Sequence, residues 1–304
     1  MFLILTILGL AAFEVISGID NAVINAHVIN TMEERSKKWF LFWGMLFAVF
    51  VVRGIMPFLI IWSTMPQFSA LDAFLASFSG SPEAATAIQT SAPLLLIGGG
   101  VFLLLIFTHW LFIEEKHFVW KFEKFFNHHA VWFYATASIM LTTLVWLAIK
   151  HNPLMTLAAT IGSTAFFITH GFKQQAEIEE QRMANNKQMS DISKILYLEV
   201  LDATFSIDGV LGAFAFTFSI PLILIGNGIG AFIVREITIK YANKIAKYVY
   251  LKNGAMYSIF FLGLFMVLES FDIHIPEYTS PVITLFCIVF FFYKSIKNIE
   301  NIKK

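Results

Sequence analysis

Phe13-Glu14-Val15-Ile16-Ser17-Gly18-Ile19-Asp20-Asn21, near the start of the chain, and Asp202-Ala203-Thr204-Phe205-Ser206-Ile207-Asp208-Gly209, far downstream, each set two acids six residues apart in an apolar run of membrane-spanning length. Carboxylates inside a bilayer are costly and are retained where they act. A spacing of Glu14 to Asp20 that recurs as Asp202 to Asp208 therefore reads as a duplicated functional element. The likeness extends outward. Gly44 followed by Ala48 and Arg53 matches Gly226 followed by Gly230 and Arg235, with nine residues from glycine to arginine in both.

Composition sets the class. Of 304 residues, 58% are apolar, 14% are charged and 34 are Phe, more apolar surface than a soluble domain of this size can cover. The chain reads as an all-α polytopic membrane bundle. Nine segments are long and apolar enough to span: about 2–30, 39–64, 92–113, 129–149, 152–172, 195–217, 221–239, 254–272 and 279–293, the last being short. Lys150-His151-Asn152 followed by Pro153 keeps the fourth and fifth spans apart.

Lys and Arg alternate between the connections. The first holds Arg35, Lys37 and Lys38, the third Lys116, Lys121 and Lys124, the fifth Lys173, Arg182, Lys187 and Lys194, and the seventh Lys240, Lys244, Lys247 and Lys252; the tail adds Lys294, Lys297, Lys303 and Lys304. Against these 18, the opposite side holds only Lys150, and the remaining two of the 21 basic residues, Arg53 and Arg235, fall inside spans. The expected orientation is N-terminus outside and C-terminus cytoplasmic, in the plasma membrane, the inner membrane of a bacterium. Five crossings separate span one from span six, so the two three-span units are expected to be inverted repeats, a transporter signature that brings equivalent helices to the midplane. The organisation expected is a first three-helix repeat over 1–113, two middle spans and a cytoplasmic linker over 114–194, the inverted repeat over 195–272, and a final span with basic tail over 273–304.

Arg53 and Arg235 each lie ~14 residues into their spans, about 20 Å at the helical rise and well inside a core about 30 Å thick. Six ionisable groups (Glu14, Asp20, Asp202, Asp208, Arg53 and Arg235) left isolated would cost on the order of 15–20 kcal/mol, more than the ~5–15 kcal/mol net stability of a typical domain. They are expected to converge on one another, on water or on a cation. Four acids against two arginines leave two negative charges, which either a divalent cation or two protons would neutralise. The carboxylates, the Asn21 amide, the Ser17 and Ser206 hydroxyls and main-chain carbonyls are hard oxygen donors suited to manganese, magnesium or calcium. Zinc and copper lack their usual ligands: the single cysteine, Cys287, lies in the last span, and neither motif contains histidine. A lone cysteine also excludes dithiol redox chemistry.

Six residues advance a helix by about 240°, so Glu14 and Asp20 do not share a face on a regular helix, nor do Asp202 and Asp208. Local unwinding beside Gly18 and Gly209 is expected to resolve this and to free carbonyls as ligands. Glu199, Asp202 and Ser206 share one face, making Glu199 a candidate access residue toward the cytoplasm, with a solvated helix end the equal alternative.

Glu14…Asp20-Asn21 and Glu199-x-x-Asp202-x-x-Phe205-Ser206-x-Asp208 resemble the two acidic motifs of the TerC family of integral membrane proteins. The likeness covers spans one to three and six to eight, with the linkers and middle spans divergent. The family was first associated with tellurium resistance and sits in a wider group with the LysE-type exporters. The resemblance implies a metal-ion exporter, with manganese as the ion. Gly209 stands where many members carry a small hydroxyl residue.

Blander readings accompany these. The membrane acids form structural ion pairs with Arg53 or Arg235; His27, His109, His170 and Glu269 are interfacial or packing groups; Gly98-Gly99-Gly100 is close helix packing, since no Lys-Ser/Thr follows as in a phosphate loop. Residues 65–91 read as an external loop holding a short interfacial helix and 173–194 as a solvated cytoplasmic linker. No cleavable signal is expected, because cleavage after Ala12 would remove the span of the Glu14 motif. The function expected is divalent-cation export through a carboxylate site, with proton coupling, no enzymatic activity, no tightly bound cofactor and no nucleic-acid partner. A calcium/proton exchanger, a non-transporting accessory subunit and an intramembrane aspartyl protease using Asp20 and Asp208 are the alternatives, the last weakened by the absence of a Gly-x-Gly-Asp element.

Overall fold

The computed structural model of the chain describes residues 2–29, 32–44, 82–185, 190–245 and 247–302, with scattered positions between 46 and 74; side chains at 2, 19–27, 41, 82–89, 176–185, 201–206, 235, 237–245 and 301–302 lie outside the described residues. All the described elements are helical: α1 Phe2–Ile29, α2 Glu34–Trp39 running into a π turn Phe40–Gly44, α3 Pro82–Phe112, α4 Lys121–His128, α5 Phe133–His151, α6 Pro153–Asn185, α7 Asp191–Ala213, α8 Ile220–Ile245, α9 Leu251–Ser270 and α10 Thr279–Ile302.

Among the described residues five helices are long and apolar enough to cross a bilayer: Thr90–Phe112, Ala130–His151, Pro153–Gln175, Leu251–Ser270 and Thr279–Glu300. They correspond to expected spans three, four, five, eight and nine, as in a multi-pass membrane protein. The break between the fourth and fifth is where Pro153 puts it. Asn152 is extended (ψ 119°) and its side chain accepts the Leu154 N–H at 2.9 Å, capping α6. Spans one, six and seven fall on α1, α7 and α8, whose described apolar stretches include the shorter Leu3–Gly18 and Ile220–Val234. Most of the span at 39–64 lies outside the described residues.

Within the linker at 173–194, α6 carries on to Asn185 and α7 begins at Asp191 after the Ser190 hydroxyl caps it through the Ser193 N–H. Two expectations are corrected. The last span is not short, since α10 is a continuous helix of 24 residues. Nor do α1 and α7 unwind at Gly18 and Gly209; both run unbroken through those positions. A side chain on Gly18 would make ordinary contact with Val234 of α8 at 3.4 Å, and one on Gly209 would stand 3.2 Å from Glu14 Oε2.

Helix α3 is the axis of the scaffold, enclosed almost wholly between α6 and α9. The glycine run makes this possible. A side chain on Gly98 would meet the Ala158 carbonyl of α6 at 3.0 Å, and one on Gly162 would collide with the Gly98 carbonyl. On the other flank, a side chain on Gly100 would come within 2.9 Å of the Gly263 carbonyl of α9. Backbones at this range gain dispersion that hydrocarbon lipid cannot supply. The core around this axis is Ile97, Phe102, Leu103, Leu105, Trp110, Met155, Leu262 and Met266, all buried. Short α4 is fastened beneath it by Glu123, fully buried, which accepts the Val119 N–H at 2.6 Å and the Tyr257 hydroxyl at 2.6 Å. The second bundle is α1 laid along α8, with α7 also against α1.

Candidate functional site

Glu14 is buried among helices from the other half of the chain, its residue only 2% exposed. A side chain on Gly230 of α8 would lie 2.6 Å from Glu14 Cβ and 2.6 Å from the Ala11 carbonyl, so α8 leaves space for Glu14 by having none of its own there. On α7, a Cβ at Gly209 would stand 3.2 Å from Glu14 Oε2. The carboxylate of the first motif therefore abuts the glycine that ends the second. Ser17, one turn on, donates its hydroxyl to the Phe13 carbonyl at 2.9 Å and lies 3.3 Å from that of Glu14.

Asp208, beside Gly209, is partnered by a residue that the sequence reading assigned to the linker. Lys173 Nζ on α6 lies 2.5 Å from Asp208 Oδ2, the two side chains being 19% and 16% exposed. The other carboxylate oxygen, Oδ1, is shielded from solvent and has no hydrogen-bond partner among the described residues. A second missed residue is Asn227 on α8, fully buried, with neither amide atom hydrogen-bonded among the described residues. It lies one turn from Gly230, and Gly226 beside it would put a Cβ 2.5 Å from Leu10 Cβ on α1. A buried amide left in this condition costs about 1–3 kcal/mol, which is a reason to expect a ligand or water beside it. Its signal in the sequence was present: an Asn between two glycines in an apolar span.

Glu199 is half-buried on α7, its carboxylate where a side chain on Gly44 of the π turn would fall. Asp20 and Asn21 lie on α1, Asp202 and Ser206 on α7 and Arg235 on α8, with their side chains outside the described residues, as is Arg53 altogether. Among the described residues no three His, Cys, Asp or Glu side chains come together as a metal-binding group.

A polar cluster closes one end of the scaffold. His109 and His170 bring their rings to 3.8 Å between centroids, His109 Nδ1 lies 3.4 Å from Glu114 Oε1, and Lys252 Nζ lies 2.9 Å from Glu114 Oε2. Burial pushes the Glu114 carboxyl up, but His109 and Lys252 outweigh it and hold it at about 2. Burial brings Lys116 down to about 8, against the pull of Glu114; its ammonium takes hydrogen bonds to the Trp110 and Leu111 carbonyls that end α3. His109 also packs edge-on to Phe133 and so combines packing with a polar contact, whereas His170 stacks on Phe166 and its Nε2 is buried with no hydrogen-bond partner among the described residues.

Compared with known families, the chain matches the family model described as "Protein of unknown function (DUF475)" over residues 19–302. No curated protein and no solved structure matches it.

Proposed function

We propose that this chain, which belongs to the DUF475 family, is a multi-pass transporter that exports a divalent metal cation, manganese first among them, through a carboxylate site shared by its two halves. One observation carries the reading: the buried Glu14 carboxylate lies against Gly209, next to Asp208, so two acidic motifs far apart in sequence meet between apolar helices. The resemblance to the TerC exporters points to the same chemistry from the motifs alone.

Crossed packing supports the inverted repeat. Gly226, in the second half, packs on Leu10 of α1; Gly44, its counterpart in the first half, packs on Glu199 of α7. Under the motif alignment, positions 10 and 198 correspond, so each half presents an equivalent glycine to an equivalent level of the other's acidic helix. Nine spans are the reading of the apolar segments, and an outside N-terminus and cytoplasmic C-terminus in the plasma membrane that of the lysine and arginine distribution. In such an arrangement Glu14 and Asp208 supply oxygen ligands, Asn227 a neutral amide oxygen, and rocking of one half against the other exposes the site alternately to each side. Protons taken up by the acids on release would balance the returning charge.

Purified protein titrated with manganese, calcium, magnesium and zinc tests ion class. Thermal stabilisation by manganese above zinc is expected, since hard oxygen donors give zinc no special hold. Stabilisation by zinc alone would overturn the oxygen-site reading and bring His170, one turn from Lys173, into the ligand set.

A further inference from the structure

We propose that Lys173 is a tethered counter-cation: its ammonium neutralises Asp208 when no ion is bound and is displaced by the arriving metal, so that Lys173 sets the affinity and speeds release. The proposal rests on the transport reading and deepens it. Its basis is the contact between Lys173 Nζ and Asp208 Oδ2 at 2.5 Å, bridging α6 to α7. The ammonium stands where a metal bound by that oxygen would stand, and the two cannot occupy it together.

The pair is poorly built for a purely structural role. A buried ion pair contributes stability only when its remaining lone pairs are satisfied, yet Asp208 Oδ1 is shielded with no hydrogen-bond partner among the described residues. An arginine would have taken both oxygens in a bidentate fork and locked them. Lysine is a point charge on a flexible stem, not a rigid two-pronged fork. Position favours withdrawal: Lys173 lies two residues before the end of the apolar stretch Pro153–Gln175, and α6 continues past it to Asn185. The expected charge also fits. Four motif acids and two arginines leave two negative charges; Lys173 compensates one of them, and a divalent ion replacing it compensates both.

The experiment is manganese binding to full-length purified Lys173→Met and Lys173→Gln, measured by calorimetry and by metal-induced thermal shift beside the parent, together with transport rates in vesicles. With the competitor removed, the manganese Kd is expected to fall by about tenfold or more in both variants, as for deleting a like charge at a shielded site. Maximal transport rate is expected to fall while the concentration for half-maximal rate also falls. Adding Asp208→Asn to Lys173→Met should abolish the gain. A folded Lys173→Gln with unchanged or weaker manganese binding would overturn the proposal while leaving the transport reading intact. Loss of folded protein in both variants would overturn it too, because a displaceable partner is not indispensable to the fold. If parent and variants alike bind none of the four metals, the transport reading fails and this one with it.

Discussion

The two bundles use glycine in the same way and for different ends. In the scaffold of α3, α6 and α9, glycines face main-chain carbonyls: Gly162 the carbonyl of Gly98, Gly100 that of Gly263. In the bundle of α1, α7 and α8, glycines also make room for side chains: Gly226 for Leu10, Gly230 for Glu14 Cβ beside the Ala11 carbonyl, and Gly209 for the Glu14 carboxylate. A backbone pressed on a backbone has nowhere to move and makes a fixed frame. A glycine pressed on a flexible acid makes room for a charge, and the charge then needs a partner. One region is packed backbone on backbone; the other is packed around a buried charge.

That difference predicts different failures. The largest effect is expected at the arginines. On the proposal that Arg53 and Arg235 neutralise membrane acids, changing either to Met should cost about 3–5 kcal/mol, seen as loss of folded protein in the membrane fraction; variants as abundant and heat-stable as the parent would show that the arginines face water. Next comes the scaffold. Gly162→Ala drives a methyl into the Gly98 carbonyl and should destabilise by about 1–3 kcal/mol, lowering the detergent melting temperature. Gly209→Ala needs a shift of only a few tenths of an ångström from Glu14 Oε2, at 3.2 Å, so stability should change by less than about 1 kcal/mol while transport falls. Equal melting temperatures for the two alanine variants would erase the distinction between frame and site.

The smallest effect is expected at the polar cluster closing the scaffold. Glu114 is held at about 2, below its ordinary 4.5, so its contribution to stability is complete above 4.5 and is lost as pH falls through about 2. Melting temperature should be insensitive to Glu114 between about pH 5 and 7 and decline in more acid solution. Glu114→Gln should flatten that acid limb. An acid limb equally steep in Glu114→Gln would place the titrating group elsewhere.

Much of the frame was legible in the sequence because it is written in composition and in local breaks. Long apolar runs gave five spans, Pro153 divided two of them, and a glycine run without a following Lys-Ser/Thr gave close packing rather than a phosphate loop. The site was legible only in part. Glu14 and Asp208 stood out because acids are rare in apolar runs, and Gly209, anomalous beside the TerC pattern, has its reason in the nearness of Glu14. Lys173 was hidden because a lysine ending an apolar run ordinarily marks an interface, whereas here α6 continues and the ammonium turns inward to Asp208. Asn227 was hidden because an amide carries no charge to make it conspicuous. Unwinding at Gly18 and Gly209 was inferred from glycine's freedom of backbone, but both helices run unbroken there, and at Gly209 it is the missing side chain that leaves room for Glu14 Oε2.

Manganese uptake into inside-out membrane vesicles tests the central claim most directly, with the parent measured beside Asp20→Asn and Asp208→Asn variants of equal abundance. The account predicts accumulation by the parent above vesicles lacking the protein and background levels for both variants. Equal accumulation by the parent and the Asp208→Asn variant, or none by the parent, would contradict it.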